Sequence, residues 1–394
     1  MNLLFVNRMM GTAWGGGENY DYNLARELQQ MGHRVTFLTA RPLGAPPPSL
    51  PNDVEVVCFQ TPYLRRYMYQ LAGKIKLIPG LFAETDLRLF AWRVRQMIRS
   101  TMEKRSIDLV QTLSIPGLAL QIARHGVPVT MRFPGPPAWF HSQRLHMFHR
   151  LSRTAMFSHG DTVRIFEDRF GFPIEEVPPG VHDRLFQPMD PALRRRRRAD
   201  LGIRDEDFLI STVGRLIEGK GHRFLLEAIQ PLAREDSRLR VLIVGDGAHR
   251  KRLEQTAGHM GIRDQVIFVG QQKRDQVAAS LGISDLFCLF SGYENYSNAV
   301  LEAMSSGLPV MASRVGGFPL QVQNGENGFL VDYGDKQEFR TLALRLLNDR
   351  DLRHHLSQGA RRFAGRFSWR ASAERAISIY ERLLAQGGPQ RRFA

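Results

Sequence analysis

Three loops of this chain carry residue types that could act on a phosphorylated ligand. In Val213-Gly214-Arg215-Leu216-Ile217-Glu218-Gly219-Lys220-Gly221 an arginine and a lysine lie five apart among glycines. Glycines let backbone approach a ligand closely, and two fixed cations beside a helix N-terminus suit a diphosphate. Taken alone, the loop reads equally well as a turn with two solvated cations. Ser291-Gly292-Tyr293-Glu294-Asn295-Tyr296-Ser297-Asn298 leads into Ala299-Val300-Leu301-Glu302-Ala303-Met304, a helix by propensity. Glu294 stands before that helix and Glu302 inside it. The amides of Tyr296, Ser297 and Asn298 are then expected to be unpaired at the helix start and to point at an anion. Glu302 can accept two hydroxyl hydrogen bonds, as a ribose offers. Val244-Gly245-Asp246-Gly247 reads as a truncated glycine fingerprint with Arg250 where a third glycine belongs, and alone it is only a tight turn.

The elements that must position these loops alternate. Asn2–Asn7 is an apolar run ending in glycines 11 to 17, Glu18 to Gln30 has helical spacing, and Val35 to Thr39 is a β-branched strand. The same grammar restarts at Phe208–Val213 and continues through Val241–Val244, Val266–Val269, Leu286–Phe290 and Leu308–Ser313. This is the pattern of an α/β protein with two Rossmann-like domains facing a central cleft. The expected division is 1–190, 191–370 and a C-terminal helix in 371–394 that packs back on the first domain. Ligands of such sheets bind at the carboxyl ends of the strands, where the three loops lie.

Length and composition agree with two globular domains: 394 residues, 43% apolar and 24% charged. No window approaches 18 consecutive apolar residues, so no spanning helix is expected, and the N-terminus lacks the basic segment of a signal peptide. Two cysteines, Cys58 and Cys288, exclude a disulfide framework and a four-cysteine zinc site, and point to the cytosol. The net charge of +15 attracts polyanions. With no zinc-finger spacing and no aromatic RNA-binding segment, nucleic acid is not the expected partner. Arg194 to Arg198 reads as a solvated face, and Asp205-Glu206-Asp207 as a surface turn before a strand. Residues 61 to 105 carry ten Lys/Arg against three Asp/Glu, among Tyr63, Tyr67, Tyr69, Phe82, Phe90 and Trp92. That mixture suits either an anionic membrane surface or a plain helix pair with snorkelling arginines.

The motifs resemble glycosyltransferase family 4, whose fold is the two-Rossmann-domain B-type. Gly15-Gly16-Gly17-Glu18 is similar to the family's N-terminal glycine loop, and Gly180-Val181-His182 through Phe186-Gln187-Pro188 to its interdomain signature. Gly214-Arg215-Leu216 with Lys220-Gly221 resembles the diphosphate loop, Glu294 and Glu302 the paired glutamates, and Gly316-Gly317-Phe318-Pro319 the glycine-rich loop downstream. Family members often carry a histidine after the strand at Val127-Pro128-Val129, where this chain has Pro134, with His141, His146 and His149 nearby reading as surface residues. His182 stands where aspartate is usual, and Leu320 where an acidic residue is common. The resemblance implies a retaining, metal-independent hexosyltransferase with no cofactor beyond its nucleotide-diphosphate sugar. Residues 1–190 would then be the acceptor side and 191–370 the nucleotide-sugar side. Glu294, Arg215 and Lys220 would be catalytic, while Gly16, Gly17, Gly214, Gly245, Tyr296, Ser297, Asn298 and Glu302 would bind the donor. The acceptor would be a glycan or a lipid-linked one, in cell-surface polysaccharide or glycolipid synthesis, at the inner face of the membrane. Two alternatives share these residues: a nucleotide-sugar epimerase of the same fold, and a non-catalytic nucleotide-sugar-binding partner.

Overall fold

A computed structural model describes residues 1–11, 15–42, 44, 50, 54–61, 78–137 and 141–386. The chain divides into two compact units, Met1–Pro179 with Trp369–Ala394, and Gly180–Ser368.

In the first unit β1 (Asn2–Val6), β2 (Arg34–Pro42), β3 (Glu55–Thr61), β4 (Leu109–Leu113), β5 (Val129–Arg132), β6 (Thr154–Ser158) and β7 (Glu175–Glu176) form one sheet. Its order is β3-β2-β1-β4-β5-β6-β7, and every pairing is parallel. Side chains alternate across a strand, so a sheet covered on both faces needs unbroken apolar runs. In β1, Leu4 and Val6 face a core shared with Phe90, Val94 and Ile98 of α2 (Ile78–Arg105), whereas Leu3 and Phe5 face Leu24 and Leu28 of α1 (Gly16–Gln30). The second face is also covered by helix Trp369–Ala385, whose Tyr380 hydroxyl donates to Gln111 Oε1 at 2.6 Å. α3 (Pro116–Arg124), α4 (Ser142–His149) and α5 (Asp161–Phe170) complete the first face.

In the second unit β8 (Phe208–Val213), β9 (Leu239–Val244), β10 (Val266–Gly270), β11 (Leu286–Leu289), β12 (Val310–Ser313) and β13 (Gly328–Val331) run parallel in the order β10-β9-β8-β11-β12-β13. The helices are α6 (Pro191–Asp200), α7 (His222–Glu235), α8 (Arg250–His259), α9 (Arg274–Gly282), α10 (Asn298–Ser305), α11 (Lys336–Asn348) and α12 (Arg350–Ala364). The chain winds outward from β8 to β10, then crosses to β11 on the other side of β8. The loops after β8 and β11 therefore flank the switch point of the sheet, where doubly wound folds hold ligands.

The division falls after Pro179 rather than after residue 190. Residues from Gly180 onward are packed, not linking: Phe186 is buried among Leu289, Val300, Met304 and Val310, and its carbonyl accepts from Ser305 Oγ at 2.6 Å. The arginine run also departs from a solvated face. Asp190 caps α6, Arg195 to Arg197 are exposed, but Arg198 is fully buried. Its Nη1 donates to Ile283 O at 2.9 Å and Asp285 Oδ2 at 3.1 Å, and its Nη2 to Arg204 O at 3.0 Å. Asp207 is likewise buried, held by Arg204 at 2.7 Å and Arg240 at 3.3 Å. Of the basic-aromatic stretch, Tyr63, Tyr67, Tyr69, Arg65, Arg66, Lys74 and Lys76 lie outside the described residues, while Phe90 is core and Trp92 is 55% exposed. No described helix is long and apolar enough to cross a membrane.

Removing one partner of a buried ion pair strands the other charge, at a cost of about 3–5 kcal/mol. Arg198→Met is therefore expected to lower unfolding free energy by about 3 kcal/mol in urea titration. Arg196→Met, on the exposed face, should stay within about 0.5 kcal/mol of the parent. Equal effects would mean that Arg198 is no more structural than its neighbours.

Candidate functional site

The β8 loop is built backbone against backbone. Gly214 N donates to Val244 O at 3.0 Å and Leu216 N to Asp246 O at 2.9 Å, so the first loop lies directly on the loop after β9. Gly245, at φ 139°, approaches so closely that a Cβ there would stand 1.9 Å from the Gly214 carbonyl oxygen. Only glycine allows this. The Arg215 side chain projects exposed from the platform, and its carbonyl meets the ring Nε2 of His222 at 3.2 Å. Burial lowers the His222 pKa to about 4, so the ring is neutral near pH 7.

The loop after β11 joins the first one. Gly292 N donates to Gly219 O at 2.8 Å, and Lys220 Nζ forms an ion pair with Glu294 Oε1. Ser291 Oγ donates to the same oxygen at 2.9 Å. Both charges of the pair stay partly exposed, so an incoming anion can compete for the lysine. The backbone of this loop rests on residues 313–321. Ser313 Oγ donates to Ser291 O at 2.7 Å, Gly317 N to Glu294 O at 2.8 Å, and Gln321 Nε2 to Ser297 O at 2.9 Å. A Cβ on Gly317 would fall 1.8 Å from Asn295 O.

Ser297 is the N-cap of α10, its Oγ accepting from Val300 N at 3.3 Å. Its amide is not left for an anion, as the sequence suggested, because Gln321 Oε1 takes it at 2.8 Å. Asn298 begins the helix, and Tyr296 packs with its ring centroid 6.0 Å from that of Phe367. One turn on, Glu302 lies 3.7 Å from Arg274 Nη2 of α9. Burial drives its pKa up to about 7, against the pull of that arginine. A carboxyl poised there is half ionised near neutrality.

Gly16 and Gly17 open α1 in the first unit, where Glu18 Oε2 accepts from Gly15 N at 3.1 Å and the Gly17 carbonyl accepts from Arg132 Nη2 at 2.8 Å. Arg132 is fully buried and donates through Nε to Asp21 Oδ1 at 2.6 Å, over the Tyr20 ring. His159 stacks on that ring at 5.3 Å, and burial, with Arg132 beside it, holds its pKa down at about 3. His141 is buried rather than a surface residue, and His146 and His149 pack on Phe172. Sequence reading missed Ser291, His222, Arg274 and Gln321. Ser291 stands three before Glu294, a spacing that could have flagged it; the others have no local signal.

Two family models match the chain: glycosyl transferases group 1 over residues 194–363, and a glycosyl transferase 4-like domain over residues 15–167. Among curated relatives, a D-inositol 3-phosphate glycosyltransferase of Corynebacterium jeikeium is 34% identical over 221 residues, 54% of this chain and 53% of its own length. One of that description from Salinispora arenicola is 33% identical over 232 residues, 55% of this chain and 51% of its own. The chain thus spans about half the length of the curated relatives it matches. Sucrose-phosphate synthase of Thermosynechococcus elongatus superposes with TM-score 0.78 at 21% identity, over 98% of this chain and 100% of that one. The Anabaena protein HepE, solved with UDP and glucose, gives 0.72 at 19% identity, over 96% and 97%. Matched in both halves by glycosyl transferase models that together span most of its length, the chain belongs to the family 4 glycosyltransferases of B-type fold.

Proposed function

We propose that this glycosyltransferase takes a nucleotide-diphosphate sugar as donor and transfers the sugar, with retention and without a metal, to a glycan or lipid-linked acceptor at an anionic membrane surface. The observation that carries the donor reading is the convergence at one switch point of exposed Arg215, the Lys220–Glu294 pair and the α10 helix bearing Glu302. The HepE complexes with UDP and with UDP-glucose support it. Arg215 and Lys220 neutralise the departing diphosphate, the main electrostatic demand of the step. Glu294, released from Lys220, meets the donor sugar, and Glu302 accepts from the ribose hydroxyls. Asp207 stays committed to Arg204 and Arg240, which favours chemistry without a divalent ion.

Incubation with the donor alone should give slow hydrolysis that survives EDTA. Tight donor binding without any turnover on supplied acceptors would favour the non-catalytic partner, a reading prompted by Pro134 in the family's histidine position. Strict dependence on a divalent ion would refute the metal-free mechanism.

Losing one charge-assisted contact to a diphosphate costs about 1.5–3 kcal/mol. Arg215→Ala and Lys220→Ala should each weaken UDP binding about ten- to a hundredfold by calorimetry. Wild-type affinity in both variants would move the diphosphate elsewhere.

Glu302 gives a signed pH dependence. Ribose hydroxyls donate best to the ionised carboxylate, so UDP affinity should rise as pH climbs through about 7, and Glu302→Gln should flatten that profile. Stability runs the other way. A carboxyl whose folded pKa exceeds its unfolded value stabilises the fold at low pH and loses that contribution as pH rises through about 7. Glu302→Gln should therefore gain melting temperature over the parent at pH 8, with the gap closing toward pH 4.5. A gap that is constant with pH would show that Glu302 does not titrate there.

A further inference from the structure

The peptide between Arg215 and Leu216 is gripped on both edges. Leu216 N donates to Asp246 O at 2.9 Å, while Arg215 O accepts from Ile217 N at 2.9 Å and meets His222 Nε2 at 3.2 Å. The Ile217 bond closes a three-residue turn around Leu216, whose side chain is fully buried in the core. Arg215 is left exposed beside it. The atoms of a peptide, the Cα of Arg215 among them, move as one plane. Holding the carbonyl therefore also holds the base of the Arg215 side chain.

Backbone contact puts His222 within reach. It is the first residue of α7 and is 3% exposed. Gly221 before it has φ 75°, and a Cβ there would stand 1.9 Å from Phe290 O, so the helix start is seated against the chain just past β11. A carbonyl only accepts, so Nε2 carries the ring proton. Nδ1 is buried with no hydrogen-bond partner among the described residues. Buried polar groups are as a rule paired, and a phenylalanine would fill this space without leaving a bare nitrogen. What the imidazole adds over such a ring is its one bond to the loop. Burial keeps it uncharged near pH 7, so it brings no third cation to Arg215 and Lys220.

We infer that His222 is a positioning residue for sugar transfer, bracing the Arg215 carbonyl so that the loop from Arg215 to Lys220 keeps the shape that receives a diphosphate. The far end of that loop is fixed independently, by Gly292 N on Gly219 O at 2.8 Å and by the Lys220–Glu294 pair. Without the brace the arginine end is the part free to drift from the lysine end. The role deepens the diphosphate reading above and rests on it; the brace itself does not.

The test compares His222→Phe, His222→Gln and His222→Asn with Leu225→Ala, which opens the core beneath α7 without touching the loop. UDP and uridine are titrated by calorimetry, and amide exchange of Leu216 and Ile217 is followed by NMR. Losing one hydrogen bond is worth about tenfold. His222→Phe should therefore weaken UDP about tenfold, spare uridine, which has no diphosphate, and speed both amides about tenfold. Glutamine carries an amide nitrogen as many bonds from the backbone as Nε2 and should restore both readouts, whereas asparagine falls one bond short and should not. Leu225→Ala should lower the melting temperature yet leave the ratio of UDP to uridine affinity unchanged. If His222→Phe does not fold, the contrast between glutamine and asparagine decides. Equal losses for UDP and uridine, or a ratio that falls as far in Leu225→Ala, would make His222 merely structural and overturn the role. So would unchanged exchange, or faster exchange with full UDP affinity. A parent that binds no UDP, with the exchange pattern as expected, would overturn the diphosphate reading and keep the brace.

Discussion

Direct contact between two stretches of backbone is the constraint on which the site depends. Residues 291–297 lie on residues 313–321 so tightly that Gly317 has no room for a Cβ, which would stand 1.8 Å from Asn295 O. Three hydrogen bonds, from Ser313, Gly317 and Gln321, then fasten the loop at its start, middle and end. The ordering entropy of that segment is met on folding, so Glu294 and the start of α10 need not be arranged anew when a ligand arrives. Rigid backbone leaves only side chains to change partner.

Exposure then sorts the cations into those that can change partner and those that cannot. Lys220 and Glu294 keep 24% and 17% of their side-chain surface, and a pair of that kind contributes only about 0–1 kcal/mol. Exchanging Glu294 for a phosphate is nearly free. Arg132 with Asp21 is closed to solvent on both sides, and Arg198 is wholly buried against Asp285. Separating those would expose uncompensated charge in a poorly screened interior, so they hold elements together and take no part in binding.

Most of the fold was legible because a parallel sheet covered on both faces writes itself as apolar runs followed by glycine turns. Phe208–Val213, Val241–Val244 and Leu286–Phe290 announce β8, β9 and β11, and the glycines after them mark the loops. Arg215, Lys220, Glu294 and Glu302 could be singled out for the same reason, since each stands a fixed distance past a strand. What could not be read depends on the partner rather than the neighbour. Gln321 has no periodic or motif role, and it matters only because folding sets its amide against both backbone groups of Ser297. Arg198 sits in a run of five identical residues, and only the helix phase sends it inward while Arg195 to Arg197 face out. The boundary was misplaced because the proline-rich stretch around Pro188 resembles a linker, although Phe186 is anchored in the second core.

The two units repeat one architecture and use it differently, which shows how little of a site the fold itself supplies. Each has a glycine-rich loop leading from a central strand to the start of a helix. In the second unit the side chain of Arg215 leaves its platform for solvent, and the partly exposed Lys220–Glu294 pair near it can be exchanged. In the first unit the strand-end arginine, Arg132, turns inward to the Gly17 carbonyl and Asp21, and burial keeps the adjacent His159 neutral. The same helix start is thereby tied to its own core. A cation at a strand end becomes a binding group only when packing leaves its charge uncompensated, and in this chain the packing, not the strand order, makes that distinction.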